Sequence, residues 1–366
     1  MYGDFPFGNP DGARADIGEI NEMFITNTPY AVDFSVYPDV LLNKRVIVGA
    51  KGSGKTVYLR KIQSILKNRE ENQHTGIYVD DSIDQNLNCT EKIIKVCDFY
   101  NGRILSEKWT RLWKLALQIT LALKYLHDCR LKGYTNDGEQ EELEAILKNN
   151  NLYFKYSIST YVIFQVMLEY INSKNDVDIL IAQTRWIGLE QTLIRILRKS
   201  PAIYIFLDAI DIEYEHAPMH WTICQKGLFY AVMDMLQDKT WGERFHVIIA
   251  LRNNVFSSVL RSEHATKFSK EAHIFFLNWT ADNIRHFIRE KISRLNDCYF
   301  ILQDEMKSNG KTIKNWLGTS KILNVKRNVE EDLIEYITRH SRLVPRDIVI
   351  MCNRISAARR LYRTRR

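Results

Sequence analysis

The sequence predicts an α/β fold on a parallel sheet, with a large helical insertion and a helical C-terminal part. Three observations lead there. Short apolar runs alternate with helical patterns along most of the 366 residues. The first clear run feeds a glycine-rich loop and then a helix. The strongest, Ala202-Ile-Tyr-Ile-Phe-Leu-Asp208, is continuously apolar, as a strand buried on both faces of a parallel sheet must be.

Residues 1–40 are aromatic-rich, irregular through Asp4-Phe-Pro-Phe-Gly-Asn-Pro-Asp-Gly12 and helical around Ile17–Phe24. Next comes Arg45-Val-Ile-Val-Gly-Ala-Lys-Gly-Ser-Gly-Lys-Thr56, a strand followed by G-x-x-x-x-G-K-T, and then a helix from Val57 to about Asn68. That order suits phosphate binding. Glycines at 49, 52 and 54 open backbone conformations that bring N–H groups close to an anion, and the helix N-terminus adds partial positive charge. Gly49, Ala50, Lys51, Gly52, Ser53, Gly54, Lys55, Thr56 and Val57 are the expected cradle. Lys55 can reach β- and γ-phosphates, and the Thr56 hydroxyl can ligate Mg²⁺. A segment just ahead of such a loop often packs on the base, so Phe24, Tyr30 and Phe34 are candidates to lie near adenine; ordinary packing is the alternative.

Further strands are expected at Gly76–Asp80, Ala202–Asp208, Phe245–Leu251 and Ala272–Leu277, with helices such as Lys226–Gln237 and Phe256–Ser262 between them. Right-handed crossovers then wind a parallel sheet. Between the second and third strands lies a helical insertion at about 90–200, which packs on the sheet or forms a lobe beside it. Its periodic segments are Leu105–His127, Glu139–Lys148, Ser157–Asn172 and Ile179–Lys199, and Trp109, Trp113 and Trp186 read as packing residues. Thr280 suits an N-cap, with Trp279 stapling on Ile284. Asp304–Lys326 is polar and reads as a surface excursion, and Val329–Arg339 and the segment from Asp347 read as helices. The expected organisation is an N-terminal segment over 1–40, a core over 41–278 and an all-helical lid over 279–366.

Composition describes an ordinary globular chain, 45% hydrophobic and 26% charged, with a net charge of +7. No apolar run reaches the ~18 residues that span a bilayer, and the start lacks a signal-peptide pattern. Six scattered cysteines (Cys89, Cys97, Cys129, Cys224, Cys298, Cys352) show no metal or disulfide spacing, which suits a reducing cytoplasm. From Arg354 onward there are six arginines and no acid, able to grip DNA or an acidic partner, or simply to solvate a terminal helix.

Hydrolysis needs a carboxylate for the Mg²⁺ shell and a group to orient water. Asp208 ends the apolar strand and is assigned to the metal. Asp211 in D-A-I-D is assigned to the water, with Glu213 and Glu215 as substitutes.

At this point the chain resembles the additional-strand (ASCE) class of P-loop ATPases, and within it the AAA+ and STAND-type bacterial ATPases with an origin-recognition-like core. The matching segments are G-A-K-G-S-G-K-T at 49–56, F-L-D-A-I-D at 206–211, V-I-I-A-L-R-N-N at 247–254 and L-V-P-R-D-I-V-I-M-C-N at 343–353. The resemblance implies a P-loop NTPase three-layer sandwich in which an extra strand separates the P-loop strand from the strand ending in Asp208. It implies ATP and Mg²⁺ as cofactors, Arg252 or Asn253 sensing the γ-phosphate, and Arg346 as a sensor-2-like arginine. The chain departs from AAA+ in carrying Ala209 where the acidic residue usually follows. Arg244 and Arg261 are possible donors to a neighbouring subunit. ATP is favoured over GTP because the guanine-specifying N-K-x-D is absent.

Four functions follow. The first is an ATP-dependent switch, self-associating or driving an effector, with large insertions like those of bacterial antiviral defence ATPases. The others are a DNA loader or initiator, a nucleotide-binding scaffold with little turnover, and a small-molecule kinase.

Overall fold

The structure, a computed structural model, describes residues 5–27, 42–73, 77–80, 82–84, 89–100, 106–129, 137–150, 159–182, 186–208, 215–261, 272–303 and 310–364. In chain order the elements are α1 (Ile17–Met23), β1 (Val46–Gly49), α2 (Lys55–Gln73) and β2 (Ile77–Val79). The insertion supplies α3 (Thr90–Asp98), α4 (Ser106–Lys124), α5 (Asp137–Asn149), α6 (Thr160–Glu169), α7 (Lys174–Ile181) and α8 (Leu189–Lys199). Then follow β3 (Ala202–Leu207), α9 (Pro218–Gln237), β4 (Phe245–Arg252), α10 (Asn253–Leu260) and β5 (Ile274–Leu277). The C-terminal part holds α11 (Ala281–Ser293), α12 (Ile313–Leu317), β6 (Lys321–Asn324), β7 (Val329–Asp332), α13 (Leu333–Arg339) and α14 (Pro345–Thr364).

The architecture is a three-layer α/β sandwich whose five-stranded parallel sheet runs β2-β3-β4-β1-β5. β4 therefore lies between β1, which leads into the glycine-rich loop, and β3, which ends before Asp208. Ile203↔Phe245 through Leu207↔Ile249 set the β3–β4 register. Ile249 N–H reaches Arg45 O at 2.8 Å, and Val46 N–H reaches His273 O at 3.1 Å. In a parallel sheet all C-terminal strand ends share one edge, so the ends of β1, β3 and β4 lie on the same edge. At the opposite edge the buried Arg45 guanidinium meets His246 Nδ1 at 3.2 Å. Burial first, and then Arg45, pushes the His246 pKa down to about 3, so the ring is neutral.

By chain proximity two compact units form: Met1–Leu41, Gly49–Ser64 and Phe276–Arg366 make one, and Leu42–Val48 and Ile65–Phe275 the other. In the second unit, sheet residues such as Val48, Ile205 and Ile249 share one buried cluster with Trp109, Trp113, Phe164 and Leu193 of the insertion. The insertion thus packs into the core of the sheet. All three of its predicted packing tryptophans are buried. The expected helix over Ile179–Lys199 is instead two, α7 and α8, broken where Gly188 takes a left-handed φ of 88°.

Helices α4 and α9 cross almost backbone to backbone at Gly227. A Cβ there would lie 2.4 Å from Trp109 Cβ and 2.8 Å from its carbonyl carbon. Helix propensity alone makes Gly→Ala a gain of up to about 1 kcal/mol. Here the backbone obstacle reverses the sign. Gly227→Ala is expected to destabilise by about 1–3 kcal/mol, the range for overpacking. A thermal melt that rises instead of falling would overturn this.

The first unit has its own core, with Phe7, Ile284, Phe287, Trp316, Ile337 and Ile348 buried together. Asn353 of α14 ties down the N-terminal segment: its Oδ1 accepts from Phe7 N–H at 2.9 Å, and its Nδ2 donates to Gly8 O at 3.0 Å. Two expectations are corrected here. The lid is not all-helical, because β6 and β7 form an antiparallel hairpin and Val329–Asp332 is strand, with helix only from Leu333. Nor is all of Asp304–Lys326 a surface excursion, since Trp316 is fully buried and its ring lies 4.8 Å from Phe7. Thr280 caps α11 in a capping box with Asn283, and Trp279 meets Phe287 edge-on at 5.5 Å.

Candidate functional site

In the first unit, β1 ends at Gly49 and α2 begins at Lys55, and the loop between turns on two left-handed glycines. Gly52 has φ 86° and Gly54 has φ 97°. Ser53 N–H donates to Ala50 O at 3.2 Å, and Tyr58 N–H to Gly54 O at 3.1 Å opens the helix. The N–H groups of a first helical turn have no intrahelical acceptor and point out of the helix end. A Cβ at Gly49 would strike Ser53 Oγ at 2.4 Å and crowd Ser53 Cβ at 3.3 Å, so a side chain there would force Ser53 to move. Nothing stands within 4 Å of a Cβ placed at Gly54, leaving open space on that face. The buried Lys55 side chain folds back, its ammonium donating to Gly49 O at 3.1 Å and Ala50 O at 3.0 Å. Ser53 Oγ is buried without a hydrogen-bond partner.

Two other segments of this unit grip the loop. Leu343 takes a left-handed φ of 54°, and Pro345 then starts α14 with the φ a first helical turn needs. Arg346 follows, and its N–H donates to Gly52 O at 3.2 Å while its Nε donates to Pro10 O at 3.2 Å. Its Cβ would stand 3.2 Å from a Cβ on Gly52. The lid carboxylate Asp347 binds Arg342, at 2.9 Å. Trp279 Nε1 donates to Ser53 O at 2.9 Å. On the other side the N-terminal segment lies on the first turns of α2. Gly12 approaches Val57 so closely that a Cβ would come within 2.8 Å of it, and Arg60 donates to Gly12 O and Ala15 O. Phe24 meets Tyr58 edge-on at 4.8 Å. Tyr30 and Phe34 lie outside the described residues.

In the second unit, Asp208 is buried just past β3. Its backbone is held twice. Asp208 N–H donates to Asp84 O at 2.9 Å, Asp84 N–H donates to Phe206 O at 2.9 Å, and the Tyr161 hydroxyl of α6 donates to Asp208 O. Tyr161 N–H in turn reaches the Asp84 carboxylate at 3.3 Å. Beside them Lys124 of α4 and Asp80 form a buried ion pair at 2.8 Å. Burial is the main cause that lifts the Asp84 pKa to about 6, with Asp80 adding; Ser159, Tyr161 N–H and Lys124 pull the other way. Sequence reasoning missed this cluster, because Asp84 sits in a polar stretch and only the fold brings α6 to it.

A raised acid pKa has a definite sign in stability. The folded chain binds this proton more tightly than the unfolded one, so its contribution is greatest below about pH 4. It falls as pH rises through about 6, by up to about 3 kcal/mol for a shift of two units. Asp84→Asn keeps one acceptor oxygen and removes the charge. It is expected to melt several degrees higher than wild type at pH 7.5, with the gain shrinking towards pH 4.5. A gain independent of pH would refute the assignment.

Arg252 closes β4 and pairs with Glu215 at 3.8 Å, and Asn253 begins α10. Arg261 is exposed at the end of α10, while Arg244 is exposed before β4, at the edge opposite the strand C-termini. Asp211 and Glu213 lie outside the described residues, as do the side chains from 359 onward. Thus Lys55, Thr56 and Arg346 belong to one unit, with the Arg346 N–H on Gly52 of the loop, and Asp208 and Arg252 end neighbouring strands in the other. Among the described residues no cluster of three or more His, Cys, Asp or Glu side chains could hold a metal, and no helix is long and apolar enough to cross a membrane. No protein-family model and no curated protein matches the chain.

Proposed function

We propose that the chain is a Mg²⁺-dependent ATPase of the additional-strand P-loop class, AAA+/STAND-like, acting in the cytoplasm as a nucleotide-controlled switch. The observation that carries this reading is the loop Gly49–Thr56. It combines two left-handed glycines, a lysine at the helix start and an arginine helix end bonded to Gly52. The strand order supports it further, since β4 separates the loop strand from the strand ending at Asp208. The open face at Gly54, the Lys55 ammonium and the Thr56 hydroxyl of the first unit are groups that suit a phosphate chain with its cation, and Asp208 of the second unit is an oxygen donor of the kind such a cation takes.

In this reading the backbone N–H groups of 49–57 cradle the phosphates, and Lys55 exchanges its two loop carbonyls for β- and γ-oxygens. Thr56 and Asp208 are the residues that would hold the metal, which would supply charge neutralisation. Asp211 orients the attacking water. Arg252 and Arg346 offset charge on the γ-phosphate, and Arg346 couples that charge to α14 and Pro10. Opening or tightening of the lid then reports nucleotide state to another copy of the chain or to an effector, as in bacterial defence ATPases of this type.

A DNA loader is the second reading, favoured by the arginines that α14 carries beyond Arg354. The test is ATP turnover with Mg²⁺ for wild type and Asp211→Asn, with and without duplex DNA. Turnover that Asp211→Asn abolishes supports the switch, and strong DNA stimulation moves the function to the loader. Melting unchanged by saturating Mg·ATP would overturn both.

A further inference from the structure

A cavity of about 790 Å³ opens in the helical insertion between α4, α8 and the end of α7. Its size is in the range of small-molecule sites. Leu115, Ile181, Trp186 and Ile194 give it apolar walls. Trp186 is only 8% exposed and its indole N–H is committed to Leu180 O at 2.7 Å, so the ring is a fixed surface.

The polar lining consists of two cations, Arg111 and Lys114, two amides, Gln118 and Gln191, and one acid, Glu190. Gln118 of α4 lines the cavity at 7% exposure, and among the described residues its amide has no hydrogen-bond partner. What little of Gln118 is exposed faces this cavity, where its amide is available to water or to a ligand. The N-terminus of α8 opens into the same space. Gly188 is its N-cap, in a left-handed conformation and without a side-chain cap, and Leu189, Glu190 and Gln191 line the cavity. The N–H groups of that first turn have no intrahelical acceptors and carry the positive end of the helix dipole. Arg111 and Lys114 stand on the α4 side. Their present partners, Glu107 at 2.6 Å and Glu190 at 3.5 Å, are half-exposed or more and bind weakly. A ligand carboxylate or phosphate can therefore recruit both cations, while Glu190 turns outward to solvent.

We infer that this cavity binds an organic anion with a flat apolar body. The anionic head sits between the α8 N-terminus, Gln118, Arg111 and Lys114, and the body lies against Trp186. The site lies wholly within the second unit and is independent of the loop at 49–56.

The probe is 1-naphthoate, titrated calorimetrically into the full chain and into the Lys55→Ala variant, with neutral 1-naphthamide as comparison. The expected result is saturable one-to-one binding, equal in both proteins, and at least about tenfold weaker for the amide. Arg111→Ala should weaken it by about tenfold, and Gln118→Glu, which places a negative charge at the head position, should abolish it with the melting temperature retained. If Gln118→Glu fails to fold, Gln118→Met, of similar size, must still weaken binding about tenfold. No saturation by about 1 mM, a Kd giving only about −4 kcal/mol, would overturn the assignment. So would equal affinity for the amide, or binding lost only in Lys55→Ala.

Discussion

Lys55→Ala is expected to lower Mg²⁺-dependent ATP turnover by a hundredfold or more while leaving the chain folded. Its ammonium rests on two carbonyls of its own loop, at 3.1 and 3.0 Å, in a buried position. There it offsets the partial negative charge that the loop directs inward, and phosphate oxygens attract it more strongly than carbonyls do. A charge-assisted hydrogen bond contributes about 1.5–3 kcal/mol, and removing one preorganised donor to transition-state charge typically costs about 10²–10³ in rate. Truncation also leaves the Gly49 and Ala50 carbonyls exposed to whatever enters the cradle, which repels an anion. Lys55→Arg should not rescue, because the wider guanidinium cannot occupy the space between Gly49 and Ala50. Two readouts belong together: turnover, and the rise in melting temperature on adding Mg·ATP, which reports binding by linkage. Wild-type turnover in Lys55→Ala would remove the loop from the mechanism.

Trp113→Ala is expected to be the most damaging single core change, at about 3–5 kcal/mol, the range for large aromatic truncations. The ring is fully buried and stacked on Phe164 at 3.6 Å with planes 2° apart. It also meets Tyr161 edge-on at 6.1 Å, and its indole N–H donates to Cys224 O at 3.0 Å. Truncation opens a cavity and removes the second hydrogen bond at the Cys224 carbonyl, which keeps its helical one. Trp113→Phe keeps the stack and loses the hydrogen bond, and should cost only about 1–2 kcal/mol. Thermal melts with near-ultraviolet dichroism separate the two variants. Equal losses would mean that the hydrogen bond, and not the packing, is what α4 depends on. Because Tyr161 leans on this ring and holds Asp208 O, damage here is also expected to loosen the β3 end, readable as faster amide exchange at Asp208.

The strands were legible because a parallel sheet buries both faces and so demands unbroken apolar runs, as in Ala202–Leu207. The loop at 49–56 was legible because its glycines are dictated by backbone geometry. What escaped was structure whose signal is not local. The β6–β7 hairpin reads K-I-L-N and V-E-E-D, and its strands are largely exposed, so neither shows the alternation of a half-buried strand. Trp316 escaped because its helix is a single turn, too short for any periodicity. The break before α8 escaped because the apolar pattern continues on either side of it. The hold of Tyr161 and Asp84 on Asp208 depends on residues far apart in sequence meeting. So does the contact of Arg346 with Gly52, which the P-R-D motif suggested only by resemblance.

The pairing of Ile77 with Ala202 carries a cost in chain entropy, because the whole insertion lies between two neighbouring strands. Closing a flexible loop of roughly 120 residues costs about 4 kcal/mol beyond a fixed constant. A three-residue β2 gains little from pairing to set against that. The insertion resolves the imbalance by ceasing to be a loop. Once α4 has consolidated against its helical neighbours, the chain ends bearing β2 and β3 are already near one another and little closure remains. The β3–β4 pair, joined by the local helix α9, is therefore expected to form before β2 pairs with β3, and native-state amide exchange should show the β2–β3 hydrogen bonds opening more readily than those of β3–β4.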